Sequence, residues 1–160
     1  MTRLAAAEGA AAAAHEAERL VPLTIDTYCT TALAGYEVVF IDDADARDGT
    51  EWSESVRIHD LPLDLSSRWP DIVLRNPSTG GFWIVDCVES DGEVDAVRKA
   101  EIDAAFEGRG HTIEGYTTAY RTVTCFAQRQ RTMDNVALDT YVWVMEIGGA
   151  HWLKRALGET

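Results

Sequence analysis

Short apolar runs bounded by turn residues alternate along this chain with longer stretches of helical periodicity. Runs of roughly four to eight apolar or β-branched residues between glycine, proline and aspartate predict strands. The predicted strands cover residues 37–41, 53–59, 69–74, 84–89, 112–120 and 138–145. The predicted helices cover residues 4–33, with a break near Pro22, residues 94–107 and residues 122–131, and residues 152–157 finish the domain. This order predicts an α/β fold in which a mixed sheet carries helices on both faces.

Two neighbouring predicted strands each carry one aspartate. Asp71 lies in the strand at 69–74, and Asp86 lies in the strand at 84–89. A hairpin with its turn at residues 76–81 sets the two aspartates opposite each other on adjacent strands. Directly opposed like charges destabilise a strand pair unless another group compensates for them.

Burial would make this aspartate pair costlier still. Apolar residues flank both aspartates, which indicates central strands covered on both faces. A divalent cation between Asp71 and Asp86 would offset the cost, with Glu89 as a third ligand if the strand pleat is irregular. Each aspartate alone also has a structural explanation, because Asp71 suits a turn before a strand and Asp86 suits a strand end.

The helix predicted at 94–107 places Arg98 and Glu101 inside its apolar stripe. Two interpretations stay open for Arg98. It forms an ion pair with Glu101 one turn away, or it points at the aspartate pair or at a substrate phosphate. Lys99 lies at the margin of the same face, where it either reaches the site or remains in solvent.

Length and composition suit one domain over residues 1–160, because the chain is 46% hydrophobic and long enough to bury a core. Cys29, Cys87 and Cys125 are widely spaced, which indicates neither a disulfide framework nor a zinc site. The start of the chain lacks the basic and apolar segments of a signal peptide, and no membrane span is visible. We therefore expect a cytoplasmic protein.

The formal net charge of −13 argues against a nucleic-acid ligand, because phosphate binding usually needs a basic surface. The distribution of charge matters more than its sum. No acidic residue lies between Glu114 and Asp134, whereas Arg121, Arg129 and Arg131 do. These three arginines are candidate phosphate contacts.

Several blocks of this sequence resemble the PD-(D/E)xK nuclease core. Pro70-Asp71, then Asp86-x-Val88, then a helix follow the order of that motif. A narrower likeness, over residues 36–145, is to the nuclease domain of BsuBI/PstI-type restriction endonucleases. Its blocks are residues 38–42, 69–74 and 82–94, Arg98 with Glu101, and residues 115–120 and 139–144.

The resemblance implies a restriction-endonuclease-like fold and Mg²⁺-dependent cleavage of both strands of double-stranded DNA at short palindromic sites. It implies that Asp71 and Asp86 bind the metal and that Arg98 or Lys99 stabilises the pentavalent phosphate. It further implies a homodimer. The N-terminal recognition region of the family is represented here by an alanine-rich helical segment at 1–33, so a partner could supply sequence specificity.

Departures from the family pattern favour an alternative function. Asp86 stands where the family usually has Glu, and Val88 stands at the place of the motif's Lys. The basic pair expected on the helix reads Arg98-Lys99, so the catalytic cation is either displaced by one residue or absent. A catalytically degenerate nuclease-fold protein that binds DNA or a protein partner therefore stays open, as does an acidic decoy that mimics DNA.

Overall fold

The computed structural model describes residues 19–42, 51–63, 68–89, 92–130 and 135–154. Within these ranges one sheet contains the strands Glu37–Ile41 (β1), Ile72–Arg75 (β2), Phe82–Cys87 (β3), Ile113–Tyr120 (β4), Thr140–Val144 (β5) and Trp152–Lys154 (β6). The α-helices are Leu20–Thr24 (α1), Ser53–Ile58 (α2), Ala96–Glu107 (α3) and Val123–Gln130 (α4). A π-helical turn, Ile25–Cys29, continues α1.

The sheet is mixed, as predicted, and its strands lie side by side in chain order. β1, β2 and β3 form an antiparallel meander. β4 runs parallel to β3, and β5 runs parallel to β4, before β6 returns antiparallel beside β5. Parallel neighbours need a crossover connection, and α3 and α4 supply the two that this order requires.

Alternation along β3 sends buried side chains into a core on each face of the sheet. On one face, Trp83 belongs to the core that contains Leu20 of α1 and Tyr28 of the π-helical turn. On the other face, Ile84 belongs to the core that contains Ile102 of α3. Helices therefore cover both faces, which confirms the predicted α/β/α arrangement.

Residues 53–58 form the helix α2, so the strand predicted at 53–59 is wrong. The half-buried residues of this segment, Trp52, Ser55, Val56 and His59, recur at helical rather than alternating spacing. The Ser55 hydroxyl donates to the Val39 carbonyl of β1 at 2.6 Å. A segment this short is compatible with either periodicity, and its contact with the edge strand favours the helix.

The predicted N-terminal helix is present from Leu20, and its earlier residues, 4–18, lie outside the described ranges. A break near Pro22 is present, because Arg19 has an extended backbone and the helix begins at Leu20. Pro22 lies in the first turn of α1, where a backbone amide would have no helical partner to lose. Across the described ranges, none of the helices combines the length and apolar character needed to cross a membrane.

Candidate active site at the end of the central hairpin

The central hairpin has the predicted register, with Ile72 of β2 paired with Val85 of β3. Asp71 precedes Ile72, and Asp86 follows Val85, so the two aspartates lie opposite each other. The Asp71 amide donates to Asp86 Oδ1 at 3.2 Å, and the Cys87 amide donates to Asp71 Oδ2 at 2.6 Å. The backbone of each strand thus holds the carboxylate of the other beside the carboxyl end of β3.

Asp86 is fully buried, and two arginines neutralise it. Its Oδ2 atom accepts hydrogen bonds from Arg98 Nε at 2.8 Å and from Arg68 Nη2 at 2.7 Å. Its Oδ1 atom accepts a longer one from Arg98 Nη2 at 3.4 Å. A buried carboxylate needs such partners, because an unpaired charge away from water is strongly destabilising. The two guanidinium groups therefore already offset part of the negative charge that the sequence analysis expected a divalent cation to offset.

Arg98 adopts the second of its two predicted arrangements and points at the aspartate pair rather than toward Glu101. It lies in the first turn of α3, which begins where the Asp95 carboxylate accepts from the Arg98 amide at 2.8 Å. The helix start therefore fixes the direction of the Arg98 side chain. Its Nη1 atom also donates to the Arg68 carbonyl at 2.5 Å, so each of its side-chain nitrogens has a partner.

Arg68 is a site residue that the sequence reasoning missed. It precedes the hairpin in a segment without periodicity, so no pattern marked it. Its Nη1 atom donates to the Gly92 carbonyl at 2.8 Å. Its Nε atom is the one buried side-chain nitrogen or oxygen without a partner in the described ranges. Arg68, Arg98 and Glu101 border an open cleft of about 270 Å³.

Among the described residues, no arginine donates a hydrogen bond to the Asp71 carboxylate, in contrast to Asp86. Burial, followed by the neighbouring negative charge of Asp86, raises the pKa of Asp71 to about 7. The hydrogen bond from the Cys87 amide acts in the opposite direction. Near neutral pH the pair therefore carries a carboxyl group that gains from a nearby positive charge.

Lys99 lies apart from the two aspartates. Its Nζ atom forms an ion pair with Asp103 at 2.7 Å and lies 5.2 Å from the ring centre of Tyr116. One residue along a helix is a rotation of about 100°, which turns Lys99 away from the direction of Arg98. The structure thus brings together Asp71, Asp86 and Arg98, and leaves Lys99 outside the group.

Two of the three arginines predicted to contact phosphate have acidic partners, and Arg131 lies outside the described residues. Arg121 forms an ion pair with Glu89 at 2.9 Å, and Glu89 also accepts from the Leu20 amide at 2.6 Å. Glu89 therefore points to the α1 face, away from the aspartate pair, as strand alternation predicts.

Arg129 donates to both carboxylate oxygens of Glu93, at 2.5 and 3.0 Å. Glu93 also accepts a hydrogen bond from the Tyr120 hydroxyl at 3.0 Å. Burial acts to raise the pKa of Glu93, but the hydrogen bonds from Arg129 and Tyr120 hold it below its ordinary value. No local pattern predicts this pairing, because Glu93 lies 36 residues from Arg129.

The donor set at the hairpin end fits a hard divalent cation in its chemistry. Asp71 and Asp86 offer carboxylate oxygens, and Mg²⁺ uses one or two carboxylates while keeping several water ligands. Burial and the neighbouring charge of Asp86 raise the pKa of Asp71, and a bound cation would favour its ionised form. No cluster of three or more histidine, cysteine or acidic residues suited to a metal occurs in the part of the chain that is described, so water would complete the coordination.

Comparison with known proteins gives consistent results. The family model for the BsuBI/PstI restriction endonuclease domain matches residues 5–149. The type II restriction enzyme BsuBI of Bacillus subtilis is 25% identical over 131 residues, which cover 82% of this chain and 40% of that enzyme. The structure of SdaI restriction endonuclease superposes with a TM-score of 0.68 at 18% identity, over 88% of this chain and 44% of SdaI. This chain thus spans less than half the length of either relative.

Proposed function

Because this chain belongs to the BsuBI/PstI restriction endonuclease domain family, we propose that it is a Mg²⁺-dependent endonuclease domain acting on double-stranded DNA. The observation that carries the proposal is the pairing of Asp71 with Asp86 at the end of the central hairpin, with Arg98 bonded to Asp86. The three residues come from two strands and one helix. Nothing in the folding of a simple hairpin requires two carboxylates at this buried position.

In the proposed reaction, Asp71 and Asp86 hold the metal through their carboxylates. When bound, Mg²⁺ polarises the scissile phosphate and lowers the pKa of a bound water molecule. Arg98 keeps Asp86 in place and adds positive charge beside the cleft where a phosphate would enter. Fixed positive charge of this kind stabilises the negative charge that grows on the phosphate in the transition state.

The proposal extends to the assembly and to its setting. Two copies of the active site would let one assembly cut both strands of a duplex, so we propose a homodimer whose nuclease core is residues 36–145. Arg121, Arg129 and Arg131 remain predicted phosphate contacts, and at the first two a phosphate would compete with Glu89 and Glu93. A separate polypeptide that supplies sequence recognition, and a cytoplasmic location, belong to the same proposal.

A second candidate function is a catalytically degenerate nuclease fold that binds DNA or a protein partner. It is favoured by the two arginines that already neutralise Asp86. It is also favoured by Val88, which stands at the motif's lysine position and is buried with Tyr120 and Val142. Metal binding and cleavage separate the two functions.

We expect the protein to nick supercoiled plasmid in the presence of Mg²⁺ or Mn²⁺ and to lose this activity when either aspartate is removed. Asp71→Ala and Asp86→Ala should each reduce the nicking rate by at least about a hundredfold, because each removes a metal ligand. Calorimetric titration with Mn²⁺ measures the metal affinity of the same variants.

Glu107→Ala serves as the matched control, because it removes one exposed carboxylate at the far end of α3. Its nicking rate should equal that of the unaltered protein. Absence of both metal binding and nicking in the unaltered protein would reject the enzyme and favour the degenerate fold.

A further inference from the structure

Arg68 has contacts that the proposed reaction does not use. Its guanidinium group connects Asp86, on the central strand, with the Gly92 carbonyl in the segment that leads into α3. Its Nε atom is buried without a hydrogen-bond partner. A buried donor without a partner is costly, which indicates that this position of Arg68 is not its best one in every state of the site.

Arg68 donates a hydrogen bond to Asp86 Oδ2, an oxygen atom that a bound divalent metal would also use. Asp86 Oδ2 already accepts hydrogen bonds from two cationic groups, Arg68 and Arg98. The other oxygen, Oδ1, accepts from the Asp71 amide and from Arg98. A divalent cation that binds Asp86 must therefore displace a donor, and it repels any guanidinium group that stays beside it.

The two arginines differ in how easily they can leave. The Arg98 side chain is 8% exposed, is bonded through all three side-chain nitrogens and belongs to a twelve-residue helix. The Arg68 side chain is 20% exposed and bonds to Asp86 through one nitrogen. Arg68 also lines the open cleft, into which its guanidinium group can turn. Arg68, rather than Arg98, is therefore the arginine that a bound metal would displace from Asp86.

We propose that Arg68 is a built-in counter-ion of Asp86 that competes with the divalent metal for this carboxylate. The inference rests on the proposed metal site at Asp71 and Asp86. In the metal-free protein Arg68 stabilises the buried charge of Asp86, and metal binding moves its guanidinium group from Asp86 into the cleft. Arg68 is thus a positioning residue that sets metal affinity, while Arg98 stays in place in both states.

The test is the Mn²⁺ affinity of the Arg68→Gln variant, measured by calorimetry with MnCl₂ at one pH. Losing the competitor should tighten Mn²⁺ binding on the order of tenfold. Arg68→Lys keeps the positive charge and should stay within about threefold of the unaltered protein. Arg57→Gln removes a positive charge from an exposed ion pair on α2 and should leave the affinity unchanged.

The sign of the change distinguishes competition from scaffolding. A residue that merely supports the site would weaken Mn²⁺ binding when removed, so a weaker or unchanged affinity in Arg68→Gln would overturn the inference while leaving the metal site intact. The strongest support would come if Arg68→Gln binds Mn²⁺ while the unaltered protein does not. Adding Asp71→Ala to Arg68→Gln should then abolish that binding. If neither protein binds Mn²⁺, the proposed metal site itself fails, and this inference fails with it.

A measurement on the unaltered protein covers the case in which Arg68→Gln does not fold. The Nε–H signals of the two arginines can be followed by NMR during a titration with MgCl₂. The Arg68 signal should shift as its guanidinium group leaves Asp86, whereas the Arg98 signal should change less. An Arg68 signal that stays in place at saturating Mg²⁺ would overturn the inference.

Discussion

Asp86 is the residue around which the candidate site is organised. Its carboxylate accepts hydrogen bonds from two side chains and one backbone amide, which come from the segment at 68–71 and from α3. Buried ion pairs of this kind contribute little net stability compared with apolar packing, but removing one partner is severe because the other charge stays buried. The arrangement therefore fixes geometry more than it adds stability.

We expect Arg98→Met to destabilise the protein by about 3 kcal/mol, because Asp86 then stays buried with a single guanidinium partner. The double variant with Asp86→Asn should lose less than the sum of the two single variants, since the uncompensated charge is then removed as well. Urea unfolding followed by circular dichroism measures these free energies.

The surface variant Arg57→Met provides the comparison for this series. Arg57 and Glu54 have side chains that are 71% and 65% exposed, so the loss of their ion pair should change the free energy of unfolding by less than about 0.5 kcal/mol. If Arg98→Met costs no more than this control, Arg98 does not compensate for Asp86.

The sequence predicted the aspartates of the site better than their arginine partners. Asp71 and Asp86 belong to one hairpin, so local pairing was enough to bring them together, and helical periodicity marked Arg98. Arg68 approaches from a segment without periodicity, and its role depends on the packing of that segment against α3. Long-range ion pairs such as Arg129 with Glu93 leave no local pattern either.

At the scale of secondary structure, Trp83 of β3 packs against β4 and forms a hydrogen bond to it. Its indole nitrogen donates to the Thr117 hydroxyl at 3.0 Å, and Thr117 also bonds to the Tyr28 hydroxyl at 2.7 Å. The Trp83 ring lies across Gly115 of the neighbouring strand, where any Cβ atom would overlap it. Strand β4 can therefore approach β3 only because residue 115 is glycine.

Gly115→Ala should destabilise the protein by about 2–3 kcal/mol, because the hydrogen bond to Thr117 prevents the Trp83 ring from moving aside. Gly35→Ala is the matched control, since a Cβ atom there meets nothing within 4 Å. It should change stability by less than about 1 kcal/mol. Thermal unfolding of the two variants measures the difference, and equal midpoints would contradict the close approach.

Most elements of the sheet could be predicted from hydrophobic patterning, and β1 has the predicted bounds of residues 37–41. β2 and β3 were predicted because a turn of fixed length separates two apolar runs. The segment at 53–59 was predicted as a strand because its apolar and polar residues alternate in places over a short run. Its contact with Val39 of β1, which favours the helix, joins residues 16 positions apart.

For the whole molecule, the net charge of −13 is unfavourable for DNA binding. Many of the positive side chains are also already paired with acidic residues. Six arginines in the described ranges form ion pairs with acidic residues: Arg57, Arg68, Arg98, Arg109, Arg121 and Arg129. A phosphate that contacts one of these arginines therefore competes with the acidic partner that already neutralises it. DNA binding should therefore be weak and involve few phosphates.

We expect the affinity for duplex DNA to fall only gently with salt, with a log–log slope no steeper than about −3, as for roughly three phosphate contacts. Fluorescence anisotropy with a labelled duplex in EDTA measures this slope without cleavage. Arg57→Gln removes an exposed arginine of α2 that does not line the cleft, and it should leave the slope unchanged. A slope of about −6 or steeper would show that the ion pairs do not limit phosphate contact.

The hydrogen bond between the Leu20 amide and Glu89 has a mechanical consequence. It links the first residue of α1 to Glu89, which lies three residues beyond Asp86 and just after the end of β3. A displacement at the start of α1 is therefore transmitted to the end of β3, beside the carboxylate pair.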